Sequence, residues 1–135
     1  MERLDRFEAE LACSRLVALY GRASDGGRGV EDLFAEDGVL HIYQRLQGRE
    51  AMRAARELRP KNMLTRHITT DVVIDMVDED HARGSCYVTA YVLPEGGSEL
   101  GLPAVVGEYT DEFVRTEAGW KFASRVFTPV LTARP

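Results

Sequence analysis

The chain has 135 residues, 44% of them apolar and 29% charged. That is ordinary globular composition, and the length suffices to bury a core without disulfides or metal. A net charge of −5 argues against attraction to nucleic acid or to an anionic membrane surface.

Residues 3–24 read as a helix, because Leu4, Phe7, Leu11, Leu16, Leu19 and Tyr20 recur at roughly helical spacing. The glycine-rich "SDGGRG" at 24–29 stops it and places Asp25 at or just past the helix end. "VEDLFAED", 30–37, reads as a short helix turning Leu33 and Phe34 inward, and "VLHIY", 39–43, as a strand. Strong helix formers over 48–58 end before Pro60. Within and just after them, Arg49, Arg53 and Arg56 recur at i, i+4, i+7 spacing, with Arg59 and Lys61 following. The first reading of that cluster is a solvated helix face, the second an anion-binding patch.

The period then changes. Residues 64–76, 82–93, 104–115 and 119–130 are rich in Val, Thr, Tyr and Phe and read as strands, with a long Gly/Pro connection over 93–103. Helices first and a four-stranded antiparallel meander afterwards give an α+β class, expected to be a single domain over 1–135. The charged N-terminus carries no apolar signal core, and no run is long enough to span a bilayer. Cys13 and Cys86 show no metal or redox spacing and read as small core residues in a reducing compartment. The cytoplasm is the expected location.

The strand over 64–76 carries a tension. Its even positions are Leu64, Ile68, Val72, Ile74 and Met76, and its odd positions include Thr65, His67, Thr69 and Asp71. If the even face packs on the helices, His67 faces water. If the odd face lines a pocket, the even face needs other cover, such as a partner chain. By local chemistry alone, Asp25 is an ordinary turn residue. His41 lies on a strand opposite its apolar neighbours, and His81 sits in a turn. Asp71 is either a second pocket carboxylate or an edge-facing polar residue. Arg125 is either a buried ion-pair partner or a ligand for a substrate oxygen. Tyr20, Trp120, Phe122 and Phe127 read as core. No phosphate loop and no Gly-x-Ser-x-Gly elbow is present, and three scattered histidines do not suggest a metal site.

Several landmarks stand in a definite order: a helix ending Tyr-x-x-x-x-Asp at 20–25, "FAEDG", "RHITTDVVID", "GEYTDEF", and "GWKFASRVF". Over about residues 5–130 this layout resembles the SnoaL-like branch of the nuclear transport factor 2-like superfamily. The resemblance implies a cone: a strongly bent mixed or antiparallel sheet wrapped around N-terminal helices, with a deep pocket. It also implies pairing of two copies through the outer sheet face. The family includes dehydratases, a dehydrochlorinase, polyketide cyclases, epoxide hydrolases and small subunits of ring-hydroxylating dioxygenases. Several of its eliminating members use an Asp–His pair, which maps onto Asp25 and His67, and Tyr43 is similar in place to a tyrosine that in scytalone dehydratase helps hold the substrate carbonyl. Ser24 replaces a tyrosine found before the aspartate in some members, Asp71 stands where Asn is frequent, and the next strand offers Tyr87 and Tyr91 instead of a second histidine.

Neutral imidazole can take a proton from a carbon next to a carbonyl, and a carboxylate can fix its tautomer and balance the imidazolium. A phenol can donate to the oxygen as charge builds on it. The expectation is therefore a cofactor-independent lyase or isomerase, a dehydratase first of all, acting on a small hydrophobic carbonyl or hydroxyl compound. His67, Asp25 and Tyr43 would be catalytic, and Tyr87, Tyr91, Asp71, Arg125 and His41 would bind substrate. The alternatives are a non-catalytic ligand-binding or assembly subunit, and a cyclase or epoxide hydrolase using the same pocket. No metal, nucleic acid or membrane enters any of these readings.

Overall fold

A computed structural model of the chain describes residues 1–134. Helix α1 runs over Arg3–Gly26, two residues beyond the expected end, and so contains Asp25. It stops because Gly27 adopts a left-handed conformation at φ 71° and turns its N–H back onto the Ser24 carbonyl. One face of α1 buries Ala9, Cys13, Leu16, Val17, Tyr20 and Gly21.

The segment 30–37 departs from expectation. Only Val30–Leu33 forms a turn, of 3₁₀ type, and strand β1 already begins at Phe34 and runs to Ile42. Ala35 and Glu36 favour a helix locally, but pairing of Phe34 with Phe122 across the sheet overrides that preference. A four-residue strand, β2 (Gln44–Gln47), folds back on β1 and was not apparent in the sequence. Helix α2 (Arg49–Glu57) is followed by β3 (Leu64–Met76), β4 (His81–Leu93), β5 (Val105–Thr116) and β6 (Gly119–Thr132).

The strands form one sheet in the order β2-β1-β6-β5-β4-β3. All neighbours are antiparallel except β1 and β6, which are parallel, so the expected meander becomes part of a larger mixed sheet. β2 and β3 lie at the two ends of the order and do not pair with each other, so the sheet is open. Its inner face and α1 enclose a core of Cys13, Val17, Tyr20, Phe34, Phe113 and Phe122, with Cys86, Val88 and Tyr109 alongside. Both cysteines are free and buried, and desolvation pushes the Cys13 thiol up to about 12.

The arginines of α2 do not form a solvated face. Arg49 donates twice to the Phe34 carbonyl, at 2.9 and 2.7 Å. Arg53 lies 3.4 Å from the buried carboxylate of Glu31, and Arg56 donates to that carboxylate. Burial alone would raise the Glu31 carboxyl, but its own backbone N–H and the two arginines hold it below the ordinary value. The helical spacing read from sequence is thus the set of anchors that clamps α2 onto β1 and the turn before it.

Candidate active site

The alternation of β3 is resolved by a bulge. Thr65, His67 and Thr69 face α1, whereas beyond the register shift between Thr70 and Val73 it is Ile74 and Met76 that pack on the core. Asp71 sits at the shift with φ 57°. A bulge adds one residue and flips the faces, so one strand turns polar side chains inward at one end and apolar ones at the other.

His67 and Asp25 meet. Nδ1 of His67 lies 2.6 Å from Oδ1 of Asp25, although the residues are 42 positions apart. The backbone N–H of His67 donates to Oδ2 at 3.2 Å, and the Thr65 hydroxyl donates to Oδ1 at 3.0 Å. The carboxylate is therefore an acceptor on every side, so in the neutral ring the proton sits on Nδ1 and the lone pair on Nε2. Among the described residues Nε2 has no partner, and the His67 side chain is 18% exposed. Among the described residues the one fully buried side-chain nitrogen or oxygen lacking a partner is Nη1 of Arg125, so Nε2 is not sealed off.

His67 and Asp25 open onto a groove of about 590 Å³ between α1 and β3, which Gly21, Arg22, Arg66 and Thr69 also line. That volume falls in the usual range for small-molecule sites. A smaller apolar cavity of about 250 Å³ lies between the end of α1, β1, β2 and α2, and reaches Ser24 and Arg59 beside the dyad.

The other expected residues stand apart from the dyad. Tyr87 is 51% exposed on the outer sheet face, because its neighbours Cys86 and Val88 point inward. Tyr91 shares that outer face, paired across strands with Arg66, and lines an apolar groove with Leu64, Ile68 and Leu100. Tyr43 is 72% exposed at the corner between β1 and β2, with φ 62°, and sets its ring edge against Phe127. His41 lies on β1 between the inward Leu40 and the cavity-lining Ile42, hence on the opposite face. Asp71 is exposed at the bulge.

Arg125 is the buried ion-pair partner. It is 0% exposed and grips Asp111 side-on, Nε to Oδ1 at 2.8 Å and Nη2 to Oδ2 at 3.1 Å. Its guanidinium stacks 3.7 Å from the Tyr109 ring and 4.5 Å from Tyr20. Burial pushes the Tyr20 phenol up to about 12, so it stays neutral beside this pair. The residues missed from sequence are Thr65 and Arg59. Thr65 was within reach, since it lies two positions before His67 on the same strand face. Among the described residues no group of three or more His, Cys, Asp or Glu side chains gathers as a metal site would require, and no helix is long and apolar enough to cross a membrane.

An open mixed sheet curled over one long helix gives a cone-like α+β fold. The SnoaL-like domain model matches residues 5–126, and the chain belongs to that family. No curated protein matches the chain. Among solved structures, a candidate aromatic ring hydroxylase from Novosphingobium aromaticivorans is 26% identical, with TM-score 0.80 over 93% of this chain and 91% of the other. A candidate scytalone dehydratase from the same species is 21% identical, with TM-score 0.81 over 98% and 91% of the two chains. A hexachlorocyclohexane dehydrochlorinase is 21% identical, with TM-score 0.78 over 99% and 98%. At these identities the last two likenesses concern the fold.

Proposed function

We propose that the chain is a lyase or isomerase working by acid–base catalysis at His67 and Asp25, with dehydration of a small hydroxy-carbonyl compound as its reaction. The observation that carries this is the 2.6 Å contact between Nδ1 and Oδ1, with Nε2 left unpartnered in a groove of ligand size. Nε2 takes a proton from the carbon next to the carbonyl, and the electrons pass into the enolate. The imidazolium, paired with Asp25, returns that proton to the departing hydroxyl, so that water leaves and a carbon–carbon double bond remains. Tyr87 and Tyr91 stand on the other sheet face. Arg66 is paired with Tyr91 on that face, so the donors on the His67 side are Arg22 and the Thr69 hydroxyl, which line the groove. A substrate with one apolar side and one oxygen-bearing side fits this mixed lining.

The test is incubation with a panel of β-hydroxy carbonyl compounds, following loss of one water by mass spectrometry. Native protein is expected to turn over at least one compound. His67→Ala should lower the rate by about 10²–10⁴-fold, the usual worth of general acid–base catalysis, and Asp25→Asn should also lower it while sparing binding. Unchanged rates in both variants would remove the dyad from the chemistry.

A second reading has one observation in its favour. The Novosphingobium protein at 26% identity is named for an aromatic ring hydroxylase. An assembly subunit of such an enzyme would co-purify with a larger oxygenase chain and would show no turnover alone.

A further inference from the structure

Asp25 occupies a position where a carboxylate is unfavourable. It lies in the last turn of α1, at the negative end of the helix dipole, and α1 has no basic residue in that turn. The answering cation comes from another element. Arg59, two residues beyond the end of α2, donates from Nη1 to the Ser24 carbonyl and from Nη2 to the Met63 carbonyl at 3.3 Å. The same Nη2 reaches the Thr65 hydroxyl at 3.4 Å, and Thr65, 5% exposed, reaches Asp25 Oδ1 at 3.0 Å.

The direction of each bond follows from the groups. A guanidinium can only donate, so Arg59 occupies a lone pair of the Thr65 oxygen. The single hydroxyl hydrogen is then left for Asp25. With that donor on Oδ1 and the His67 backbone N–H on Oδ2, the carboxylate is fixed as an acceptor facing the ring. Only an Nδ1–H can satisfy it.

We propose that Arg59 and Thr65 are positioning residues for the dyad: a chain of donors from the end of α2 through β3 that holds Asp25 in place and keeps the His67 proton on Nδ1. The proposal rests on the dyad reading above, and it gives α2 and its following loop a part in the site. The contact of 3.4 Å is the weaker link of the chain and the one of 3.0 Å the stronger. Loss of the Thr65 hydroxyl should therefore disturb His67 more than loss of the Arg59 guanidinium does through that link.

The experiment needs no substrate. Protein labelled with nitrogen-15 in its histidine rings reports the tautomer of each ring by NMR, and His41→Gln and His81→Gln assign the signals. Native protein is expected to show His67 as one neutral tautomer, protonated at Nδ1, with slow exchange of that proton. Thr65→Val, which keeps the shape and removes the hydroxyl, should give a mixture of tautomers and at least tenfold faster exchange, and Thr65→Ser should restore the native pattern. Arg59→Met should move the signals the same way by a smaller amount. If Thr65→Val loses the native amide spectrum, Thr65→Ala and Arg59→Met read the same quantity. A single Nδ1-protonated tautomer, exchanging at the native rate in folded variants of both residues, would overturn the relay. A relay intact in these spectra beside unimpaired turnover in His67→Ala would instead overturn the catalytic reading alone.

Discussion

Arg125 is the largest fully buried side chain of the protein, and it is charged. An isolated buried charge costs several kcal/mol, so its place is explained by the side-on Asp111 carboxylate and by three aromatic rings within about 5 Å of its carbon. Burial pushes the Asp111 carboxyl up, and the guanidinium pulls against that shift. Asp111→Ala leaves the arginine charge uncompensated and is expected to cost about 3–5 kcal/mol in urea unfolding. A loss under about 1 kcal/mol would show that the pair is not what holds Arg125. From sequence, "SRVF" left Arg125 open between an ion pair and a substrate contact. The partner that decides it lies 14 residues away on the neighbouring strand, in a pairing that no local pattern encodes. The dyad was reached through an ordered set of landmarks, since 42 residues separate its members. Arg59 was hidden in a cluster that helical spacing made look solvated.

At the scale of elements, β3 is the instructive case. Its periodicity was legible and its bounds were read correctly, but neither face was apolar throughout. The bulge explains this: a polar inner half carries Thr65 and His67, and an apolar inner half carries Ile74 and Met76. The signal was Asp71 in the middle of a β-branched run, a residue that tolerates the left-handed φ of 57° found there. Asp71→Gly should therefore leave stability within about 0.5 kcal/mol, whereas Asp71→Val should cost about 1–3 kcal/mol, both by denaturant midpoint. Equal stability of the two variants would contradict a backbone role. The segments not legible were β2 and the first half of β1. "QRLQ" has too little apolar alternation to mark a strand, and "FAED" has helix-forming residues that only the distant β6 converts to strand.

At the scale of the whole molecule, the outer sheet face is the open question that β3 poses. Leu64, Ile68 and Val73 are at least one-third exposed there, Tyr87 is half exposed beside them, and Tyr91 and Leu93 continue the patch. Apolar side chains gathered on one solvent face mark an association surface. We propose that two copies pair through it. Ultracentrifugation should give the dimer mass for native protein and a monomer for Ile68→Glu. A native monomer at high concentration would end that proposal.

Nε2 of His67 is the proposed base. The most direct measurement is exchange of the substrate's carbon-bound hydrogen for deuterium in heavy water, which reads proton removal even when water loss does not follow. Native protein and Asp25→Asn should both catalyse the exchange, Asp25→Asn more slowly, and His67→Ala should fall by about 10²-fold or more. Exchange at the native rate in His67→Ala would contradict that role.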